Sequence, residues 1–588
     1  MHYDLFTLLK QFSYFQLFYS SLILFWGGIS DVQRKIKNSY YFMRGDLLLS
    51  SSSIGQLVDV AADESGDHVA FISSHQKISK SFSQFRHEVN KFASGLISLG
   101  LQKGDKIAIC SPNCYEWPVA QFATAKAGLI LVNINPAYQA KEMEYCLKKM
   151  ECKALITWDI LKTQNFYKLL CEIAPELPKS AAGRLKSHNI PSLETVIMIS
   201  EDSKDGILLF SDVMNAGNSD SDKALANLEK LIQFDDPINI QFTSGTTGFP
   251  KGATLTHHNL INNAIVSGRR LGYNLLKPII CCQVPLFHCF GSVLGTLCSV
   301  IFQSTCIFPY AGFNPEASLK AIEKYKCTTV YGTPTMFVDL LNNHRLIKSS
   351  ISSLKQAVIG GAAAPEALVK EVHEVLKVPY VNIAYGSTEN SPVVAMNGIN
   401  DDFQNAVDGV LQPLEFVELK IIHDNGCLVP IKSEGELCVR GHGLFMGYWG
   451  DKEKTEKEGI HTGKDICIMN EYGYVKIVGR KKDIVIRGGE NLYPQEIENF
   501  LHTHPAVLET HIVGVPDSRM GEELCAWISV KNGMNITEED IKNFCKGKIS
   551  HFKIPRYIMF VKDFPKTTSG KIKKFEMKEI SVQKLKLS

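Results

Sequence analysis

The chain has 588 residues, of which 45% are hydrophobic, and its 63 basic side chains nearly balance 61 acidic ones, for a net charge of +2. A chain of this length exceeds one ordinary domain and can bury a large core, so we expect a soluble globular protein with more than one domain. The near-neutral balance excludes a protein that binds nucleic acid through a basic excess, and we expect no nucleic-acid partner.

Residues 11–30 form a run of uncharged side chains rich in Phe, Tyr and Leu, and Arg34, Lys35 and Lys37 follow it. The run is long enough to span a bilayer, although several Gln and Ser side chains weaken it. A mitochondrial presequence should be amphipathic, Arg-rich and poor in acidic residues, whereas this segment is poor in acidic residues but not Arg-rich. Two interpretations of residues 1–52 stay open: a targeting segment, and a membrane anchor through residues 11–30.

Apolar runs alternate with amphipathic stretches from residue 106 onward. The predicted elements are a strand at 106–110, a helix at 115–126, a strand at 129–134, a helix at 139–150 and a strand at 154–157. Such alternation indicates parallel βαβ units. It resumes through Val330 and 357–359 after a polar stretch at 180–222, which we interpret as a surface excursion. We predict an α/β fold whose large N-terminal domain, residues 53–480, consists of parallel βαβ layers.

Beyond Gly479 the pattern changes to that of a small α+β unit, residues 481–588. Pro494 is predicted to begin a helix that carries Glu496 and Glu498 near its N-terminus, where acidic side chains suit the helix dipole. Strands at 511–515 and 526–530 and a helix at 538–548 follow. We place the boundary between the two domains at residues 480–482, where charged side chains cluster between two strand-like runs.

A loop of hydroxyls, glycines and one lysine follows the predicted strand 238–242. It consists of Thr243, Ser244, Gly245, Thr246, Thr247, Gly248, Phe249, Pro250 and Lys251. Many small donors and one mobile cation suit close contact with a polyphosphate. The spacing differs from that of the P-loop of NTPases, because Gly252 stands where a Ser or Thr would follow the lysine. We predict a binding loop for ATP phosphates of another type.

Further motifs follow this loop in a fixed order. They are Gly360-Gly361-Ala362, Tyr385-Gly-Ser-Thr-Glu389, Gly479-Arg480 and Pro565-Lys-Thr-Thr-Ser-Gly-Lys571. Their order and their sequences resemble those of the adenylate-forming superfamily of acyl-CoA synthetases, luciferases and peptide-synthetase adenylation domains, over about residues 54–580. Among its members, mitochondrial medium-chain acyl-CoA ligases are the most similar. The resemblance implies a mitochondrial enzyme that joins a medium-chain fatty acid to AMP, using ATP, and then to coenzyme A.

The resemblance also assigns roles to single residues. The phosphate loop would wrap the β- and γ-phosphates, Thr388 would contact the α-phosphate and Glu389 would help to hold Mg²⁺. Adenine would stack between the Gly361–Ala362 backbone and Tyr385.

Asp465 would accept hydrogen bonds from both ribose hydroxyls, and Arg480 would contact the ribose or phosphate. Here the chain departs from its relatives, because it reads Thr462-Gly463-Lys464-Asp465 where they read Thr-Gly-Asp. The departure leaves the local geometry, and with it full activity, to be established.

Lys571 would bridge the attacking carboxylate and the α-phosphate, since the Ser569-Gly570 turn can present its long cationic side chain. For the second step the small domain would rotate about a hinge at Lys482. Gly488 and Gly489 would then let the pantetheine arm of coenzyme A pass. His288, in Pro285-Leu-Phe-His288, would gate or polarise the acyl channel.

Two other functions stay open from the sequence alone. One is an adenylating enzyme with another acceptor; the other is a catalytically weakened, membrane-tethered binder of acyl groups or nucleotides. The sequence indicates no oligomeric state. Its sixteen scattered cysteines show no paired C-x-x-C spacing, which favours buried reduced thiols and argues against a zinc site.

Overall fold

A computed structural model describes residues 35–243, 250–347, 349–458, 461–488, 490–567 and 570–587. The predicted leader run 11–30, the phosphate-loop residues Ser244 to Phe249 and Gly489 lie outside these ranges. Both interpretations of the leader, as a targeting segment and as a membrane anchor, therefore stay predictions.

The larger of two sheets in the N-terminal part has fourteen strands, and its centre is parallel. Antiparallel strands extend the sheet on both sides, so it is mixed rather than purely parallel. In spatial order the strands are Tyr40–Phe42, Val417–Ile422, Glu434–Gly441, His461–Met469, Val475–Arg480, Val410–Pro413, Val393–Met396, Tyr380–Gly386, Gln356–Gly360, Thr329–Gly332, Ile279–Cys282, Thr305–Phe308, Val69–Ser73 and Ile78–Ser81.

The second sheet has eight strands, six of them parallel. It ends in two strands with antiparallel pairing, of which one follows the phosphate loop and the other is Gly447–Tyr448. In spatial order its strands are Leu208–Leu209, Thr195–Ile199, Ala154–Trp158, Lys106–Cys110, Ile130–Asn133, Pro237–Thr243, Lys251–Thr256 and Gly447–Tyr448. A two-stranded ribbon, Ile160–Leu161 with Gln164–Asn165, lies beside it.

Helices cover both sheets, and their apolar faces supply the core. Ser53 and Ser81 begin two of them with capping boxes, which satisfy free N–H groups at the helix start. The α-helices of the large domain are Ile54–Ser65, Phe82–Ser98, Glu116–Lys126, Ala140–Lys149, Phe166–Ile173, Phe210–Ala216, Ser219–Leu228, His257–Arg270, Tyr273–Leu276, Cys298–Ile301, Pro315–Tyr325, Pro334–Ile347, Glu366–Leu376, Phe403–Asp408 and Lys452–Glu458. Shorter turns are the 3₁₀ helices Leu177–Lys179 and Thr388–Asn390 and the π-helix Phe290–Leu297.

The smaller C-terminal unit is a five-stranded sheet with its own apolar core. Its strands are Val485–Arg487, Glu490–Leu492, Val507–Asp517, Gly521–Val530 and Tyr557–Phe560, and its helices are Pro494–His502, Glu538–Cys545 and Lys574–Leu585, with 3₁₀ turns at Lys481–Asp483 and His551–Lys553. The prediction of a large α/β domain followed by a smaller α+β unit is confirmed.

The prediction that residues 180–222 form a surface excursion is wrong in part. The polar stretch 180–222 contains Thr195–Ile199, whose five residues are all buried between two strands of the eight-stranded sheet. Charged and Ser-rich flanks concealed this short apolar run in the sequence.

The last part of the predicted leader is ordered against the large domain. Tyr40–Phe42 pairs antiparallel with Val417–Ile422 at the edge of the fourteen-stranded sheet. A cleavage site that preserves this strand would have to lie before Tyr40. The boundary between the leader and the large domain at residues 52 and 53 stays a prediction. Within the described ranges, no helix combines the length and apolar character needed to cross a bilayer.

All sixteen cysteines lie in the described part of the chain, and each is a free thiol. Fourteen of them are buried, Cys171 is half-buried and Cys427 is exposed.

Candidate active site

The predicted site residues meet where several parallel strands end. Gly361 and Tyr385 follow the paired residues Gly360 and Ala384 of neighbouring strands, and Thr333 follows the next strand. The carboxyl ends of strands in an open α/β sheet are the usual place for a ligand. Gly361 and Ala362 are exposed there, with Gly361 at a φ of +85°, so their backbone is open to a flat ring.

Asp465 is fixed at this edge by two donors. The Tyr385 hydroxyl donates to Oδ2 at 2.6 Å, and the Arg480 Nε–H donates to Oδ1 at 3.0 Å. Asp465 and Arg480 are directly opposite each other in adjacent antiparallel strands, and Asp465 is only 4% exposed. Asp465 therefore lies beside two other predicted site residues, although the sequence before it departs from the family pattern.

Lys571 reaches the same place from the small domain. A tight turn precedes it, in which the Gly570 N–H donates to the Thr567 carbonyl at 2.9 Å. Gly570 has a φ of +81°, and a Cβ there would lie 3.0 Å from Thr333 Oγ1 and 3.2 Å from Thr335 Oγ1. The Thr335 hydroxyl donates to the Gly570 carbonyl at 3.0 Å, which docks the turn on the large domain. The turn therefore needs glycine both for its backbone and for this close approach.

The Lys571 ammonium lies among charged groups of the site. Its Cε is 3.6 Å from the position that a Cβ on Gly361 would take. Burial and then the Arg480 charge lower the pKa of Lys571, while Cys289, Glu389 and Asp465 oppose that shift. The side chain is half-buried, and the charges of Glu389 and Asp465 favour its protonated form.

Glu389 and Thr388 occupy the 3₁₀ turn Thr388–Asn390. The Tyr448 hydroxyl donates to Glu389 Oε1 at 2.8 Å. Thr388 is buried, and Cys289 Sγ lies 3.7 Å from its Oγ1. Burial raises the pKa of Cys289 to about 11, so this thiol is neutral at physiological pH.

The two ends of the phosphate loop are adjacent. Thr243 and Lys251 are directly opposite each other in antiparallel strands. Lys251 is 8% exposed, and its Nζ lies 5.0 Å from the centroid of the Tyr448 ring.

His288 is neutral in this arrangement. Burial and the nearby Lys571 charge lower its pKa to about 3, and its Nδ1 accepts a hydrogen bond from the Phe290 N–H at 3.1 Å. The proton of the neutral ring is therefore on Nε2. The π-helix Phe290–Leu297 begins here, and Phe290 stacks on Tyr331 with a centroid distance of 5.6 Å. A neutral His288 ring that donates from Nε2 beside Phe290 and Tyr331 fits the predicted acyl channel better than a cationic ring would.

Two predicted residues lie apart from this cluster. Lys482 is exposed in the 3₁₀ turn Lys481–Asp483, between the domains. Gly488 lies in a hairpin turn of the small sheet, where its N–H donates to the Met520 carbonyl at 2.8 Å. Among the described residues, those predicted for the first step therefore lie close together, while Lys482 and Gly488 lie in two turns of the small domain.

Three residues of the site were missed in the sequence: Thr335, Tyr448 and Cys289. Cys289 directly follows His288 of the recognised Pro285-Leu-Phe-His288 run, and Thr335 lies three residues after the strand Thr329–Gly332. Tyr448 is 59 residues from Glu389, and no local pattern connects the two.

These features define an AMP-binding enzyme. Residues 58–449 match the AMP-binding enzyme family and residues 496–571 match the AMP-binding enzyme C-terminal domain, so the chain belongs to this family. It is 45% identical over 571 residues to the medium-chain acyl-CoA ligase ACSF2, mitochondrial, of Bos taurus, covering 95% of this chain and 91% of the relative.

Solved structures show the same architecture. The anthranilate CoA ligase AuaEII in complex with anthranoyl-AMP has a TM-score of 0.80 at 26% identity, covering 92% of this chain and 99% of that one. ATP-bound MatB from Rhodopseudomonas palustris has a TM-score of 0.75 at 26% identity, covering 90% and 99%. The predicted resemblance is confirmed.

Proposed function

We propose that this protein is an AMP-forming medium-chain fatty acid–CoA ligase that acts in mitochondria. In the first step a carboxylate oxygen attacks the α-phosphorus of ATP, the bond to the β-phosphate oxygen breaks, and pyrophosphate leaves with the electron pair. In the second, the sulfur of coenzyme A attacks the acyl carbon, the bond to AMP breaks, and the thiol proton is released. The family membership and the name of its bovine relative support this proposal.

The position of Lys571 carries the proposal. Two anions, a carboxylate and the α-phosphate, must approach each other, and a fixed cation between them offsets their repulsion and stabilises charge in the transition state. Lys571 lies beside exposed Gly361 and near both Asp465 and Glu389, at the strand edge where a nucleotide would bind. Asp465 would hold the ribose, and Tyr385 one face of adenine.

The donor set fits Mg²⁺ bound mainly by substrate. Within the described ranges, no group of three or more His, Cys, Asp or Glu side chains could hold a metal ion. Mg²⁺ in such enzymes commonly takes one or two carboxylates together with phosphates and water, and Glu389 would supply one carboxylate. When bound, the ion would neutralise charge on the phosphates.

The second step needs another arrangement. Lys571 lies beside Gly361, whereas Gly488 lies in a hairpin turn of the small sheet. The thiol of coenzyme A would have to reach the acyl carbonyl that Lys571 is proposed to face. A rotation of the small domain about Lys482 would withdraw Lys571 and bring Gly488 and Gly489 toward the pantetheine arm.

The two steps can be tested separately with Lys571→Ala. The rate of pyrophosphate release from octanoate, ATP and Mg²⁺ should fall. The transition state should lose about 3–4 kcal/mol of stabilisation, the scale for losing one charge-stabilising donor. Thioester formation from supplied octanoyl-AMP and coenzyme A should be retained. Lys562→Ala, which removes an exposed lysine of the same domain, is the matched control.

Equal loss of both steps in Lys571→Ala would refute the role given to this lysine. A wild-type protein that binds ATP but releases no pyrophosphate with any fatty acid would refute the ligase itself, in favour of a silent binder. Saturation kinetics across acids of increasing length test the medium-chain assignment. Imaging of a fluorescent fusion to residues 1–52 tests the mitochondrial location against membrane anchoring elsewhere.

A further inference from the structure

One short segment joins the strand that follows the phosphate loop to the carboxylate proposed to hold Mg²⁺. The Phe445 N–H donates to the Glu389 carbonyl at 2.9 Å, and the Trp449 N–H donates to the Gly252 carbonyl at 2.8 Å. Between these two bonds, Gly447–Tyr448 pairs with the strand that begins at Lys251. The segment 445–449 is therefore bonded to both parts of the site at once.

The side chain of Tyr448 repeats this connection. Its hydroxyl donates to Glu389 Oε1 at 2.8 Å, and its ring centroid is 5.0 Å from Lys251 Nζ. The residue is 7% exposed. One phenol thus contacts the carboxylate through its oxygen and the ammonium through its ring.

Close packing fixes this side chain. Gly447 has a φ of +143°, and a Cβ on it would lie 2.6 Å from Thr455 Cγ2. The Tyr448 N–H donates to Thr455 Oγ1 at 2.9 Å, and the Phe445 ring meets the Tyr448 ring edge to face at 5.0 Å. Tyr448 therefore has little conformational freedom, so Glu389 and Lys251 adjust to its position.

We infer that Tyr448 is a positioning residue that aligns Glu389 for the metal ion and Lys251 for the phosphates, an assignment that rests on the proposed function. A hydrogen bond to Oε1 stops the carboxylate from rotating and directs its remaining lone pairs. The π face attracts the ammonium without neutralising it, so the charge stays available to a phosphate. The hydroxyl and the ring have separable tasks.

Binding measurements without fatty acid separate these tasks. Isothermal titration calorimetry would give the ATP dissociation constant with Mg²⁺ and with EDTA for wild type, Tyr448→Phe and Tyr448→Leu. Tyr448→Phe keeps the ring, so its affinity for ATP in EDTA should be unchanged. Its gain in affinity on adding Mg²⁺ should shrink about tenfold. Tyr448→Leu should lose this gain and also bind ATP several-fold more weakly in EDTA.

Tyr472→Phe is the control, because Tyr472 is partly exposed and lies near Lys35 rather than in the site. A Tyr448→Phe protein that matches wild type in both titrations refutes the assignment, and so does one that weakens ATP equally with and without Mg²⁺, as a general packing defect would. Failure of the proposed function is distinct: the wild-type protein itself would then bind no ATP or release no pyrophosphate.

Discussion

Replacing Asp465 by Asn tests a site residue beside which the sequence departs from the family pattern. The substitution keeps the shape of the side chain and removes its charge. Arg480 Nε–H can only donate, so the amide oxygen must face Arg480, while the amide NH₂ faces the Tyr385 oxygen, which can accept. The variant should fold, since both existing contacts keep a partner.

The expected loss is in ATP binding. Each carboxylate oxygen of Asp465 already accepts one hydrogen bond and has a lone pair left for one ribose hydroxyl. Asn offers that lone pair on one oxygen only. A hydrogen bond to a charged group contributes about 1.5–3 kcal/mol, so we expect KM for ATP to rise roughly thirtyfold, equivalent to about 2 kcal/mol.

The charge change should also move the pH profile. Adenylation needs Lys571 as an ammonium, so activity is lost as pH rises through its pKa, which burial and Arg480 already lower from 10.5. Asp465 opposes that lowering, and its neutralisation should shift the alkaline limb further toward neutral pH. Asp465→Glu keeps the charge and should leave the limb in place while KM rises.

The assay is pyrophosphate release with octanoate at varied ATP, from neutral to alkaline pH. An Asp465→Asn enzyme with wild-type KM would refute the ribose contact. A limb that moves equally in the Asn and Glu variants would refute the electrostatic argument, because then geometry and not charge would control Lys571.

Two further predictions concern stability. Burial lowers the pKa of His257 and of His442 to about 4, so the stability they contribute is present above their unfolded pKa of 6.5 and is lost as pH falls toward 4. In urea unfolding, each histidine should lower the free energy of unfolding by about 1 kcal/mol between about pH 7 and about pH 5.5. His442→Gln should reduce this pH dependence, and an unchanged slope would contradict the prediction. Buried Glu498 accepts from the Ile512 N–H and from Lys574 Nζ, both at 2.7 Å. Glu498→Gln should therefore destabilise the small domain by about 3 kcal/mol in thermal unfolding, whereas a melting temperature equal to wild type would contradict this pairing.

Strands with continuous apolar runs could be predicted from the sequence. The run 106–110 is observed as Lys106–Cys110, because buried parallel strands need apolar side chains on both faces. The stretch 238–242, where Ile and Phe alternate with Asn and Gln, is observed within Pro237–Thr243. The predicted strands 511–515 and 526–530 are parts of one long hairpin, Val507–Asp517 with Gly521–Val530. Polar side chains at its turn end concealed its true length.

The site could be predicted where a motif is local. Tyr385 and Asp465 were each recognised from their own stretch, and their hydrogen bond joins residues 80 positions apart. Glu498 shows the opposite case. Its position near a helix start indicated an acid that suits the helix dipole, and nothing in the sequence indicated that it is buried and bonded to Ile512 and Lys574. Tertiary partners decide such roles, and a single sequence does not contain them.

The burial of nearly all thiols has a practical consequence. Cys427 is the one exposed cysteine among the sixteen, so a maleimide dye should attach there to the unaltered protein. Its turn also carries Asp424, which forms an ion pair with Lys481, next to the proposed hinge. A fluorophore at this position would thus report on domain rotation in real time, without any engineered label.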